Sequence, residues 1–254
     1  AAAMGRGGQG PTAHSPVSAC PTSAGSEGLQ GEAQAQPSSK AYLQISRERY
    51  GDRVTVHCED PLIFTIANFL SDDECDALID FSDGRLARAP VVGKGQTVNS
   101  FGYVQGESAG RTSTTCTLAK SEVPWYVERI EELTGLPRTH QEAPQVGRYE
   151  PGQRFNSHFD AVEPNSDIGR KFLQNGGQRI CTVLSYLNTP DPPKAFRRGR
   201  GGHTTFRSMG VSVEAVKGTV LVFFPAYLDG SLDKRTKSLA DAYAGAGGLG
   251  LGLG

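Results

Sequence analysis

What this sequence lacks narrows its class before any motif is read. The chain has 254 residues, with one tryptophan, two methionines and five cysteines. Cys20, Cys58, Cys75, Cys116 and Cys181 lie far apart and form no CxxC pair, which argues against a structural zinc framework and a dense disulfide scaffold. A single bridge, for example Cys58 to Cys75, is still compatible with the spacing. No apolar run reaches the length of a bilayer span. The formal net charge is −1, so no long-range field gathers nucleic acid or an anionic membrane surface. No basic run or DNA-binding signature is present either, and nucleic acid is not an expected partner. The chain opens Ala1-Ala2-Ala3-Met4, which reads as a fragment or a processed product whose upstream signal or anchor would not be visible.

What is present is enough apolar residues, 37 % of the chain, to fill one β-rich core. Residues 1–40 are mostly Ala, Gly, Ser, Pro and Gln without apolar period, and such a segment is expected to be disordered. Folded structure is expected over 41–236. Val54–Val56 and Leu62–Phe69 read as strands. Ser71-Asp72-Asp73-Glu74 is a capping box ahead of Cys75, Leu78 and Ile79 at helical spacing. A second helix is predicted over 121–133, with Pro124 in its first turn, an apolar stripe of Val127, Ile130 and Leu133, and Gly135 and Pro137 ending it. From Gln145 the period becomes extended, with strands predicted at 145–149, 155–160, 179–187, 204–206, 211–216 and 219–224. Segments 165–177 and 189–202 read as polar loops, and 237–254 reads as a low-complexity tail. Helices followed by many short strands predict a mainly β fold with flanking helices (α+β), the helices packed on a sandwich or jelly roll.

His158-Phe159-Asp160 is the candidate site. Residues i and i+2 of a strand point to one face, so this imidazole and carboxylate can share a metal ion. Non-haem Fe(II) oxygenases use two histidines and one carboxylate in that way. With five histidines in the chain, an HxD triplet alone has little weight, since a surface His near an Asp explains it equally well. The surrounding residues decide between the two. Gln145, Tyr149, Gly152, Gln153, Phe155, His158 and Asp160 match, position by position, the strand Q-V-x-x-Y-x-x-G-Q-x-Y/F-x-x-H-x-D of prolyl 4-hydroxylases. Around it, in family order, stand Arg111-Thr112-Ser113 with Leu118, then Arg179 to Leu187, Gly201-Gly202-His203-Thr204, and Lys217-Gly218 to Phe224. From about residue 55 to 236 the chain resembles the alpha-subunit type of prolyl 4-hydroxylase, within the Fe(II)/2-oxoglutarate-dependent dioxygenases.

That resemblance implies a double-stranded β-helix core with N-terminal helices packed on it. It implies Fe(II), 2-oxoglutarate and L-ascorbate as cofactors, hydroxylation of peptidyl proline at C4 with decarboxylation of 2-oxoglutarate, and a proline-rich or hydroxyproline-rich protein as substrate. His158 and Asp160 become the metal ligands, Tyr149 and Thr182 line the cosubstrate pocket, and Arg111 faces the substrate. The endoplasmic reticulum or wider secretory pathway becomes the expected compartment. Each role has a plainer competitor: a core aromatic with a polar tip for Tyr149, a strand-favouring residue for Thr182, a surface ion pair for Arg111. The match breaks after Thr236. The family carries a distal histidine there and a lysine beyond it, whereas here no His follows His203 and no Lys follows Lys237. His203, where the family has Glu, reads as a loop-adjacent histidine rather than a substitute ligand. A two-donor site, no final barrel strand and little turnover are therefore expected. The alternative is a catalytically inactive paralogue or isoform that binds proline-rich, polyproline-II peptides.

Overall fold

Two short segments, Leu62–Ile66 and Val220–Phe223, are buried at every position. A strand with apolar side chains at odd and even positions alike must be covered on both faces. Leu62, Phe64, Ile66, Val220 and Val222 pack in one cluster with Leu78, Tyr126 and Ile130 of two helices. Ile63, Leu221 and Phe223 pack in a second with Tyr186, Phe206 and Val213. The computed structural model describes residues 37–89, 110–150, 152–174, 176–190, 202–241 and 248–253. In chain order these form α1 (Pro37–Tyr50), β1 (Val54–Glu59), β2 (Leu62–Ile66), α2 (Asp72–Ser82), β3 (Ala87–Arg88), β4 (Thr114–Thr117), α3 (Pro124–Thr134), β5 (Gln145–Tyr149), β6 (Arg154–His158) and α4 (Asp167–Leu173). They continue with β7 (Thr182–Tyr186), β8 (His203–Phe206), β9 (Val211–Glu214), β10 (Val220–Phe223), β11 (Ser238–Asp241) and β12 (Gly248–Leu253).

The strands form an eight-stranded sheet, β1-β2-β10-β7-β12-β5-β4-β3, and a four-stranded sheet, β6-β11-β8-β9. Every strand pairing is antiparallel. The small sheet covers one face of the large one and the helices cover the other, the expected jelly roll with N-terminal helices. Strand β7 joins both layers through adjacent residues: Ser185 is hydrogen-bonded to the Tyr126 hydroxyl of α3 at 3.0 Å, and Tyr186 donates to Thr204 of β8 at 2.9 Å. The capping box of α2 forms as read, Glu74 N donating to Ser71 Oγ and Ser71 N to Glu74 Oε2. Glu74 also takes a two-pronged ion pair from Arg129 of α3 at 2.6 and 2.8 Å, which fixes the helices side by side. No helix among the described residues is long and apolar enough to cross a membrane.

Four expectations need correction. Helix α1 begins at Pro37, inside the segment read as disordered; residues 1–36 lie outside the described residues. The loop read over 165–177 contains α4, started by Ser166, whose hydroxyl accepts from Gly169 N at 2.9 Å. Its short length and internal glycine hid it. The stretch 237–254 is not a featureless tail: β11 pairs with β6 and β8, and β12 lies between β5 and β7. The expected gap at the final strand is thus filled, with Gly248 opposite Tyr149 and Gly250 opposite Tyr186. The alternation of Leu and Gly in 248–253 is a period of two, which glycine's poor strand propensity disguised. Finally, Cys58, Cys75, Cys116 and Cys181 are free thiols. Cys58 and Cys75 belong to the clusters on opposite sides of the large sheet, so they cannot meet.

One turn has no tolerance. Gly218 sits at φ +78° between β9 and β10, where an added Cβ would lie 2.5 Å from the Leu70 carbonyl oxygen. Leu70 N donates to the Gly218 carbonyl at 3.0 Å, so the backbones are locked together. Gly210, at φ +65°, has open space around its Cβ position. Gly210→Ala is expected to cost about 1 kcal/mol, from the left-handed backbone alone. Gly218→Ala is expected to cost roughly 2 kcal/mol more, since it adds a backbone collision. Urea unfolding of the two variants checks this; equal costs would mean the turn relaxes freely.

Candidate functional site

The site grows from a bulge in β6. Ser238 of β11 pairs with His158, and Ala240 pairs with Phe155, so β6 spends three steps where β11 spends two. One extra residue turns a strand's face. Phe155 and His158, three apart, therefore share the inward face, and their rings stack with centroids 3.5 Å apart at 12°. His158 is the last residue of β6, and Asp160 lies in the bend beyond it. The expected i, i+2 strand geometry is replaced by a strand end and a bend, but the pairing survives: His158 Nε2 is 3.1 Å from Asp160 Oδ1. His158 Nδ1 lies 2.8 Å from the Asn156 carbonyl. A carbonyl only accepts, so Nδ1 carries a proton and donates. That leaves Nε2 aimed at a carboxylate oxygen, an arrangement that holds only with a proton or a cation between the two. A ring whose far N–H is tied to a backbone carbonyl is also how metal-bound histidines are oriented.

Asp160 is held from two other directions. Thr182 of β7 donates its hydroxyl to Asp160 Oδ2 at 2.9 Å, and Arg179 Nη1 donates to the Asp160 carbonyl at 3.2 Å. Arg179 itself is fixed by Glu142 through bonds of 2.6 and 2.8 Å, and by the ring of Phe172 in α4, 5.0 Å from its guanidinium. Gln178 pins the next residues, accepting from Val162 N and donating to the Val162 and Gly230 carbonyls. Burial disfavours charge on Asp160, but His158, Arg179 and Thr182 outweigh it and hold the carboxyl below the usual carboxylate range. Neither Arg179 nor the Phe172 behind it stood out as a site residue in the sequence. The signal that could have found Arg179 is its fixed place three residues before Thr182 in the family strand.

Tyr149 ends β5 on the same inward face as Gly147 and Gln145, while Val146 points to the helix-side cluster. Burial pushes the Tyr149 hydroxyl pKa up, opposed by Arg111 and by hydrogen bonds with Ser113 and Arg111. Arg111 bridges to Phe155 of β6, donates to Ser113 Oγ at 3.2 Å and Gln145 Oε1 at 3.3 Å, and lies 4.6 Å over the Phe155 ring. Arg111, Phe155 and His158 thus form a stacked column beside Tyr149. All five residues singled out in the sequence converge. His203 does not join them. Thr204 and Phe206 of β8 are buried inward, so His203 is on the outward face, opposite Glu214. Trp125 belongs to helix packing, edge-on to Tyr126.

As a metal site the residues fit incompletely. His158 and Asp160 bring two donors with their supporting bonds in place, but no group of three His, Cys, Asp or Glu side chains meets anywhere among the described residues. The comparisons with known proteins agree with the architecture. The family model described as the 2OG-Fe(II) oxygenase superfamily matches residues 144–230, the span from β5 to the turn after β10. Probable prolyl 4-hydroxylase 11 of Arabidopsis thaliana is 32 % identical over 215 residues, covering 78 % of this chain and 67 % of its own length. Probable prolyl 4-hydroxylase 6 of the same plant is 32 % identical over 194 residues, 71 % of this chain and 64 % of its own. The chain therefore spans about two thirds of these relatives. Among solved structures, the viral collagen prolyl hydroxylase of Paramecium Bursaria Chlorella virus-1, a 2OG complex, superposes with a TM-score of 0.52 at 21 % identity, over 75 % of this chain and 93 % of that one. The class is that of the 2OG-Fe(II) oxygenases on a double-stranded β-helix. Within it, the chain belongs to the prolyl 4-hydroxylase family.

The electrostatics can be tested without metal. A folded-state pKa below the unfolded value of about 3.9 means that Asp160 favours folding above that pH. The contribution fades as pH falls through the folded value. Thr182→Val removes the bond to Oδ2 and is expected to raise the Asp160 pKa, moving the acid loss of stability to higher pH. An NMR titration of the Asp160 carboxyl carbon reads the shift directly; an unmoved midpoint would mean the threonine bond is idle.

Proposed function

We propose that this chain is built for the prolyl 4-hydroxylase reaction on proline-rich or hydroxyproline-rich proteins, with Fe(II), 2-oxoglutarate, O2 and L-ascorbate. The observation that carries this reading is the meeting of His158, Asp160, Thr182 and Tyr149, from three strands and a bend, at one inward face between the sheets. In such oxygenases the metal and cosubstrate supply the oxidation, and the protein supplies placement. His158 and Asp160 are the two donors on offer. Thr182 lines the cosubstrate pocket and holds the second oxygen of Asp160. Tyr149 presents a buried hydroxyl to 2-oxoglutarate. Arg111, stacked on Phe155, is the residue that faces the peptide substrate in this reading. A peptide as substrate class is supported by a neighbour of the same fold, the prolyl hydroxylase from Trichoplax adhaerens solved with a hypoxia inducible factor peptide fragment, at a TM-score of 0.51. The endoplasmic reticulum or secretory pathway goes with this reading on family grounds.

The missing third donor favours a second reading, an inactive relative that binds proline-rich peptides. One set of assays separates the two. His158→Ala and Asp160→Ala are each expected to abolish the weak Mn(II) or Fe(II) binding of the unmodified chain, read by calorimetry. Loss of a whole protein donor costs more than the 10–100-fold typical of a supporting bond. Iron-dependent succinate release with a proline-rich peptide is accordingly expected to run at least about 100-fold below that of a three-donor relative. Robust succinate release by the unmodified chain would overturn the two-donor description. Peptide binding with none at all would favour the inactive binder.

A further inference from the structure

The pairing of β11 locates the deficiency at one residue. Ser238 is paired on one side with His158 and on the other with Phe206. Residues directly opposite on antiparallel strands share a face, with Cβ atoms about 5 Å apart. Phe206 is fully buried between the two sheets, and Ser238 is itself only 4 % exposed. The row His158, Ser238, Phe206 therefore faces the interior, and Ser238 is the neighbour of His158 on the side away from the Arg111 segment. We infer that Ser238 occupies the position of the missing third metal donor, and that this single side chain, rather than the strand carrying it, leaves the site with two donors. The inference rests on the metal-site reading of His158 and Asp160 given above.

The strand is in place and well anchored. Asp233 accepts from Arg235 N and from the Arg235 guanidinium, Arg235 reaches on to Asp60 and Tyr227, and Thr236 Oγ1 donates to the Asp233 carbonyl at 2.7 Å. Two residues later the chain enters β11. Position 238 is thus delivered beside His158 by a turn that does not depend on what stands there. The other groups near this row are committed elsewhere. The Asp233 carboxylate is held by Arg235, Lys237 Nζ lies over the Phe159 ring at 5.4 Å, and His203 is on the outward face of β8. A serine hydroxyl is short, neutral and a poor donor to divalent iron or manganese, where imidazole suits them.

The test is Ser238→His in the full chain, with Mn(II) as probe, read by calorimetry and by the EPR signal of free Mn(II). A third donor held by the same framework turns a separate binding event into an intramolecular one, so Mn(II) affinity is expected to rise roughly 100-fold or more. The gain should vanish in the double variant with His158→Ala. A Ser238→His protein that unfolds cooperatively yet binds Mn(II) no better than the unmodified chain overturns the inference. Should Ser238→His not fold, Ser238→Gly with added imidazole replaces it: Mn(II) affinity that climbs with imidazole supports the position, and affinity indifferent to imidazole overturns it. The two levels of the reading fail differently. If His158→Ala abolishes Mn(II) binding of the unmodified chain but Ser238→His gains nothing, only the assignment of Ser238 falls. If Mn(II) binding ignores His158 in both backgrounds, the metal-site reading itself falls.

Discussion

Because Leu62–Ile66 and Val220–Phe223 are buried at successive positions, the large sheet needs cover on both faces, and everything else in the molecule answers that need. Helices α2 and α3 supply one layer through Leu78, Tyr126 and Ile130. The small sheet supplies the other through Phe206 and Val213. Once it lies there, the inward residues of β6 are brought over those of β7 and β5. Thr182 then meets Asp160, and Phe155 meets Arg111. Two-sided burial thus places the strand residues of the site, and the bend that carries Asp160 is tied to them.

Within that frame the acid is the most constrained group. It lies in a bend, where backbone freedom is greatest, yet its carbonyl, both carboxylate oxygens and the Val162 amide beyond it have partners. This is the preorganisation that holds a ligand's geometry before the ligand arrives. The incomplete donor set and the complete supporting set sit side by side, which separates what the framework provides from what position 238 withholds.

The elements most legible in the sequence are those where a local rule and the tertiary need agree. Ser71 and Glu74 cap α2 as their spacing says, and Pro124 and Gly135 bracket α3. The strands of 145–149 and 219–224 appear within a residue or two of their expected bounds. The five residues expected at the site come from the family pattern, and the structure places them side by side. What escaped follows from rules in conflict. Gly169 lies inside α4 because a Cβ there would meet the Glu163 carbonyl, so a packing demand erased the helical signal. Glycine at alternate positions disguised β12, whose strand character comes from the partners on either side. The bulge that aligns Phe155 with His158 is invisible without the register of β11. Beyond its spacing from Thr182, Arg179 carries no mark of its role, because Glu142 is distant in sequence and Phe172 lies in an unrecognised helix.

The placement of β12 has a bearing on how the molecule comes into being. Its residues are the last described in the chain, yet they lie in the middle of the large sheet, between β5 and β7. Until residues 248–253 have left the ribosome, that sheet exists as two unconnected halves, β1-β2-β10-β7 and β5-β4-β3, each with an open edge. Domains tend to fold as units during synthesis, and pairings this distant in sequence are slow to form. Exposed edges of this kind invite pairing with other chains. A ribosome stalled shortly before residue 248 would therefore carry a chain whose two half-sheets are each ready to pair with a neighbour.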